Sequence, residues 1–167
     1  GERVFDIMNH ELVHIVALDN YSKTDVFYRK LFAGKVRNTN DHPVSMFYSY
    51  LTNPRYYSPR WFHEGIAVFI ETWMDGGKGN ALGSYDEMFF RTRTLENSRI
   101  YSAQGLESEG TSADFMSKAN SYYYGTRFMS YVAHEYGPNN LIEWIKIKDQ
   151  SKRGFASNFK NVFGLSI

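Results

Sequence analysis

The chain has 167 residues, the length of one domain, and its 43% apolar residues are ample for a hydrophobic core. Its 19 basic and 18 acidic residues nearly cancel, so no net charge favours nucleic acid or an anionic membrane surface as a partner. Cysteine is absent, which excludes a disulfide framework, a thiolate nucleophile and a cysteine-ligated zinc finger. The sequence contains no apolar run of the roughly 18 residues that a membrane-spanning helix needs.

The first predicted element is a helix over residues 3–18, which carries an H-E-x-x-H motif from His10 to His14. Residues four apart lie on one face of a helix, so His10 and His14 can direct both imidazoles at one metal ion. Zinc lowers the pKa of a bound water to about 7, and Glu11 is placed to take a proton from such a water. The motif therefore predicts a zinc-dependent hydrolase.

The residues around this motif are largely apolar, which predicts that the helix is buried. Two histidines and a glutamate in a buried helix need polar partners, because an unpaired buried polar group is costly. A metal ion would supply one. Asp6 lies four residues before His10 on the same face and could orient that imidazole through its other ring nitrogen, although a structural or solvated role is equally compatible.

Further helices are predicted along the rest of the chain, separated by polar or glycine-rich connectors. They cover residues 24–33 with Thr24 as N-cap, 43–52, 60–74, 85–96 with Ser84 as N-cap and Glu87 in a capping box, 114–136, 139–148 and 155–163. The glycine-rich stretch 75–80 is predicted to be a loop, and residues 97–113 are predicted to be irregular.

The predicted helix over residues 60–74 contains a second motif, Trp61-Phe62-His63-Glu64-Gly65-Ile66-Ala67. Gly65 removes a side chain at a point where another helix could approach closely. Glu71 lies seven residues after Glu64 on the same helix face, and it is a second residue that could orient a ligating imidazole.

Together the two motifs resemble the gluzincin branch of the zinc peptidases, in which H-E-x-x-H is followed by a glutamate ligand within a W-x-x-E-G-x-A-like helix. The second motif matches at Trp61, Glu64, Gly65 and Ala67. The resemblance implies one zinc ion bound by His10, His14 and Glu64, with Glu11 as the general base. The 49 residues between His14 and Glu64 exceed the insert of the large zinc aminopeptidases, and we assign the excess to extra helix and loop.

A third segment, Tyr122-Tyr123-Tyr124-Gly125, is similar to the Y-x-x-G element that opens a late helix in zinc aminopeptidase-like proteins. By this resemblance Tyr122 would stabilise the oxyanion of the tetrahedral intermediate. A phenol suits that role, because it donates a hydrogen bond to developing charge without competing for the metal. In a chain with 13 tyrosines such a cluster is also compatible with packing, and Tyr123 and Tyr124 are the fallback choices.

We therefore expect a mainly α-helical, thermolysin- or aminopeptidase-like catalytic domain that lacks most of the β-sheet preceding it in the family. Residues 1–167 are expected to form this single domain, as a segment of a larger protein. Its substrate would be a peptide or protein and its cofactor one zinc ion. Endopeptidase, aminopeptidase and dipeptidase action stay open.

Two other interpretations stay open. A non-catalytic module could keep the zinc and bind a peptide or protein through the same cleft, although Glu11 would then have no use. An all-helical binding domain could instead satisfy the histidines by hydrogen bonds without a metal. The richness in tyrosine, asparagine, serine and glycine favours an exported bacterial protein without settling the compartment.

Overall fold

The computed structural model describes residues 2–19, 21–37, 39–52, 58–77, 79–107, 117–146, 148 and 155–167. Across these ranges the chain is helical without strands, which confirms the mainly α class. The helices are α1 (Glu2–Leu18), α2 (Lys23–Leu31), α3 (Pro43–Thr52), α4 (Arg60–Met74), α5 (Ser84–Leu95), α6 (Ala103–Glu107), α7 (Ser117–Tyr136), α8 (Pro138–Ile145) and α9 (Phe155–Phe163). None of these helices combines the length and the apolar character that crossing a membrane requires.

The chain divides into two compact units. The first contains Gly1–Val16 and Pro59–Gly137, and the second contains Ala17–Ser58 and Pro138–Ile167. All of the side chains predicted to form the metal site belong to the first unit.

The predicted bounds of α1, α3, α4 and α9 agree with the structure to within one residue, whereas two predicted N-caps are wrong. Helix α2 is capped by Ser22 instead of Thr24, because Asp25 stands three residues after Ser22 and completes a capping box. Helix α5 has Gly83 at its N-cap, so Ser84 already lies in the first turn and makes no capping bond.

The structure also differs from the predictions after α2, within residues 97–113 and at the end of α8. Helix α2 ends at Leu31, two residues earlier than predicted. The short helix α6 interrupts the segment predicted to be irregular, of which residues 108–113 lie outside the described part of the chain. Residues 114–116, the predicted start of α7, also lie outside it. Helix α8 ends at Ile145, three residues earlier than predicted.

Helices α4 and α7 pack backbone against backbone at a pair of glycines. A Cβ atom on Gly65 would lie 2.4 Å from the carbonyl carbon of Gly125, and one on Gly125 would lie 2.0 Å from the carbonyl oxygen of Trp61. No side chain fits at either position, so the close approach predicted from Gly65 is present. This contact holds Gly65, the residue after Glu64, against the middle of α7.

The core of the first unit surrounds this helix pair. Ile66 on α4 and Met129 and Val132 on α7 are almost completely buried, and Leu106 of α6 is buried as well. Trp61 meets Phe128 edge to face, with 5.5 Å between the ring centroids. These contacts hold the glycine pair together by burying apolar surface, which contributes roughly 25 cal/mol per Å².

Helix α1 is not buried as its composition predicts. Of its described side chains only Val13 is buried, while His10 and His14 on the same face are partly buried. Its other large apolar side chains are exposed, namely Ile7, Met8, Leu12, Ile15 and Val16. The prediction was wrong because an apolar sequence shows only that burial of its side chains would be favourable. It does not show that another part of the protein covers them.

The second unit contains two helix pairs. Helices α2 and α3 meet through Phe32, just past the end of α2, and Tyr48, whose ring centroids lie 5.3 Å apart. Helices α8 and α9 meet through Trp144, which donates from Nε1 to the carbonyl oxygen of Phe155 at 3.0 Å and packs edge to face on Phe159.

We predict that Gly125→Ala destabilises the protein by at least about 2 kcal/mol, because the added methyl group meets backbone atoms that cannot move aside. For a chain of this size that loss lowers the thermal midpoint by about 4–8 °C. Circular dichroism melting measures the shift. Gly105→Ala is the control, since a Cβ there comes no closer than 3.4 Å to its neighbours. Equal midpoints for Gly125→Ala and wild type would contradict the tight helix contact.

Candidate metal centre

Helices α1 and α4 bring the three predicted metal ligands together. The Nε2 atoms of His10 and His14 lie 3.1 Å apart. Oxygen Oε2 of Glu64 lies 3.4 Å from His10 Nε2 and 3.3 Å from His14 Nε2. The three side chains, all partly buried, form a group that could hold one metal ion.

The hydrogen bonding of this triangle is incomplete without a cation. Oxygen Oε2 of Glu64 is buried and has no hydrogen bond of proper geometry among the described residues, although two imidazole nitrogens face it. A buried acceptor left without a donor costs about 1–3 kcal/mol. A metal ion in contact with all three atoms would remove that cost, so the donor set fits a bound cation.

Glu71 holds the imidazole of His10 from the opposite side. Its side chain is only 6% exposed, and its Oε2 lies 3.0 Å from His10 Nδ1. A proton on Nδ1 that His10 donates to Glu71 leaves Nε2 unprotonated, which is the tautomer that a metal ligand needs. Glu71 is thus in the position of a carboxylate that orients His10 as a metal ligand.

The carboxylates of Glu64 and Glu71 also influence the charge of the metal-free site. The nearby carboxylate of Glu64 raises the pKa of His10, burial lowers it, and Glu71 raises it again, so that the net shift is upward. Burial raises the pKa of Glu64, but the proximity of His10, His14 and Arg60 outweighs burial and lowers it to about 2. Glu64 is therefore an anionic ligand throughout the neutral range.

Arg60 joins the metal centre to Tyr122, a role that sequence reasoning missed. Its Nε donates to Oε1 of Glu64 at 3.3 Å, and its Nη2 donates to the hydroxyl oxygen of Tyr122 at 3.5 Å. Arg60 thus engages one oxygen of Glu64 and leaves the other for the histidines. The four-residue spacing of Arg60 and Glu64 on α4 was the available sequence signal.

Tyr122 lies beside the candidate ligands. Its ring is stacked on His10, with 6.1 Å between the centroids and 24° between the planes. Burial raises the pKa of Tyr122, the hydrogen bond from Arg60 opposes the rise, and the charge of Glu64 supports it. The phenol is therefore protonated at neutral pH and able to donate.

The fallback tyrosines have packing roles. Tyr123 stacks on Phe89, with ring centroids 5.1 Å apart, and the hydroxyl of buried Tyr124 accepts from the backbone N–H of Tyr101 at 3.4 Å. Of the three adjacent tyrosines, Tyr122 is the one that contacts the ligand group.

Of the two remaining candidates from the sequence, Glu11 and Asp6, only Glu11 has a described side chain. Glu11 follows His10 on α1 with an exposed side chain. The side chain of Asp6 lies outside the described part of the structure. His42 and His134 are exposed and do not belong to the ligand group.

Comparisons with protein-family models, with curated proteins and with solved structures found no match. The geometry of the metal centre and its neighbours is therefore the basis for assigning a function.

We predict that the full chain, stripped of metal, binds one zinc ion and that His14→Ala abolishes this binding, since a ligand is lost. Glu71→Gln should weaken zinc binding about 10–100-fold, because it removes the carboxylate that orients His10. Competition with a chromogenic chelator measures both effects. His134→Ala, an exposed histidine of the same unit, is the control that should bind zinc like wild type. Unchanged affinity in His14→Ala would reject the site.

We also predict that zinc raises the thermal midpoint of the metal-free protein, because the ligands lie on two helices whose sequence positions are far apart. At a zinc concentration about 100 times the dissociation constant, the gain in folding free energy is about 2.7 kcal/mol. Calorimetry with and without zinc measures it, and the gain should vanish in His14→Ala. No shift of the wild-type midpoint at saturating zinc would contradict this prediction.

Proposed function

We propose that this chain carries the catalytic site of a gluzincin-type zinc peptidase, which hydrolyses peptide bonds in a peptide or protein substrate. The observation that supports the proposal best is the triangle of His10, His14 and Glu64 across α1 and α4. The order of the two motifs along the chain and the helical surroundings agree with the gluzincin resemblance.

The dimensions of the triangle favour zinc. Tetrahedral zinc has ligands at ~2.0–2.2 Å, so two of its ligand atoms lie about 3.3–3.6 Å apart. The three distances of 3.1, 3.3 and 3.4 Å are close to that tetrahedral edge. Two histidines and one glutamate are also a ligand set of catalytic zinc sites, which leave the fourth position to water or substrate. Zinc held there would supply Lewis acidity to a water molecule and to the substrate carbonyl.

Glu11 is the proposed general base. It is adjacent to His10 but does not belong to the ligand triangle, and its exposed carboxylate is open to solvent. Such a carboxylate can take a proton from the attacking water and return it to the departing amine. A structural metal site would have no use for a free carboxylate beside its ligands.

Tyr122 is the proposed donor to the oxyanion that forms on the substrate carbonyl. Because Arg60 donates to the oxygen of Tyr122, the phenolic proton points away from Arg60, toward Glu64 in the metal-free site or toward a substrate oxygen. The guanidinium lies over the same ring, with its Cζ atom 5.5 Å from the centroid. Arg60 therefore positions Tyr122 and strengthens it as a donor, since a cation draws electron density from the hydroxyl oxygen.

We predict that Glu11→Gln retains zinc but loses hydrolysis by about 10²–10⁴-fold, the usual contribution of a general base. Tyr122→Phe should retain zinc and lose about 10²–10³-fold, as expected for one oxyanion donor. The measurement is kcat/KM on a pooled peptide library at equal zinc occupancy, with cleavage followed by mass spectrometry.

The matched controls are Glu135→Gln and Tyr131→Phe, which change an exposed glutamate and an exposed tyrosine on α7 and should cleave like wild type. Equal cleavage by wild type and Glu11→Gln would eliminate Glu11 as the base. A wild-type protein that binds zinc and cleaves no peptide would reject the peptidase in favour of a zinc-containing binding module.

A further inference from the structure

A cavity of about 440 Å³ adjoins the candidate metal centre in the first unit. It is bounded by α4, by the start of α5 and by α7, and its lining includes Val68, Asp86, Tyr122 and Thr126. Tyr122 belongs to both the cavity and the metal centre, and Val68 lies one helical turn after Glu64 on α4. A peptide held at the metal centre therefore has this space beside it. Its volume is within the range of sites that bind small molecules.

Two lining residues carry buried oxygen atoms without partners. Asp86 and Thr126 are each only 2% exposed. Oxygen Oδ1 of Asp86 and Oγ1 of Thr126 have no hydrogen-bond partner within the described part of the chain. Leaving two such groups unsatisfied is costly, and each accepts a hydrogen bond readily. Both residues border the cavity, and no described residue supplies a hydrogen-bond partner for either oxygen.

The charge at this wall is negative. Asp86 is the charged member among the described lining residues. Its other oxygen, Oδ2, accepts from Nη1 of Arg127 at 3.4 Å, but the same guanidinium nitrogen also pairs closely with Glu87. Arg127 is thus shared by two carboxylates instead of pairing with Asp86 alone. A cation entering the cavity would give Asp86 a second positive partner.

Aromatic rings line the same space. Tyr85 and Tyr123 both border the cavity, and their ring centroids lie 5.6 Å apart. Ring faces attract ammonium and guanidinium groups, and their carbon atoms pack against an alkyl chain. Aromatic walls around a buried carboxylate suit a long side chain that ends in a cation.

We propose that this cavity is a substrate subsite in which Asp86 binds an organic cation of the peptide, the ammonium or guanidinium group of a lysine or arginine side chain or of a free amino terminus. The volume and the aromatic walls favour a side chain over the terminus. The inference rests on the proposed peptidase function, because it takes the cavity to hold part of the peptide that is cleaved at the metal centre.

Without a ligand, burial makes the ionised form of Asp86 costly. Burial raises the pKa of Asp86, the charge of Arg127 lowers it and the charge of Glu87 raises it again, with a net upward shift. A bound cation would stabilise the ionised form and offset the effect of burial.

Three blocked peptides test the proposal. The first is acetyl-Ala-Ala-Lys-Ala-Ala-amide, and the second has norleucine in place of lysine, which keeps the alkyl chain without the ammonium group. The third has norleucine and a free amino terminus. Binding is measured by calorimetry on the full zinc-loaded chain with Glu11→Gln, so that the peptides stay intact, and kcat/KM is measured on the wild type.

We expect the lysine peptide to bind at least about 10-fold more tightly than the blocked norleucine peptide, as a charge-assisted hydrogen bond would provide. Asp86→Asn should remove the preference. Glu135→Gln, which removes the charge of an exposed glutamate that neither lines the cavity nor pairs with Arg127, should keep it. Tight binding of the third peptide instead of the first would support the cation site and assign it to the amino terminus.

Equal affinity of the wild-type subsite for all three peptides would overturn the proposal without any Asp86 variant, so it stays falsifiable if Asp86→Asn fails to fold. A lysine preference that survives in folded Asp86→Asn would overturn it as well. If the lysine peptide binds preferentially but no peptide is cleaved, the subsite is upheld and the peptidase function is rejected. If peptides are cleaved without any preference for lysine, the peptidase function is upheld and the subsite is rejected.

Discussion

Helices α4 and α7 touch where Gly65 faces Gly125, and the backbones come so close that neither position has room for a Cβ atom. This contact sets the depth at which the two helices pack and hence the place of every side chain that faces their common edge. Glu64 directly precedes one glycine, and Tyr122 lies three residues before the other. Both the metal centre and the adjoining cavity depend on this single packing constraint.

At the candidate metal centre, three acceptor atoms face one another. Glu71 binds His10 from one side, and Arg60 binds one oxygen of Glu64 from another, so the atoms that remain free all converge on one point. Nε2 of His10, Nε2 of His14 and Oε2 of Glu64 are all acceptors, so they interact favourably only when a proton or a metal ion lies between them. The low pKa of Glu64, about 2, shows how strongly the surrounding positive groups favour its charged form.

The same logic extends to the cavity beside it. There Arg127 is shared between Asp86 and Glu87, and one oxygen of Asp86 stays without a partner in the described structure. Both sites thus contain a carboxylate with one oxygen engaged by an arginine and the other left for a ligand. Tyr122 borders both, and under the proposed function it would lie between the reacting carbonyl and the bound cation of one substrate.

Local patterns were enough to predict much of this. The four-residue spacing of His10 and His14, the helix bounds of α4 and the close approach at Gly65 follow from helix geometry and from the absence of a side chain on glycine. The N-caps of α2 and α5 were harder, because several polar residues compete for the cap and only the hydrogen bonds actually formed decide between them.

Tertiary structure decided the rest, because it sets distances between residues far apart in the chain. Sequence alone determined that α1 carries two histidines on one face. The fold determined that this face meets Glu64 and Glu71, while Ile7, Met8, Leu12, Ile15 and Val16 stay exposed. No local pattern could show that Arg60 donates a hydrogen bond to Tyr122. Nor could it show that Asp86 is buried beside Arg127 while its Oδ1 atom has no partner among the described residues. The hydrophobicity of a side chain predicts that its burial is favourable, and only the packed structure shows which residues it contacts.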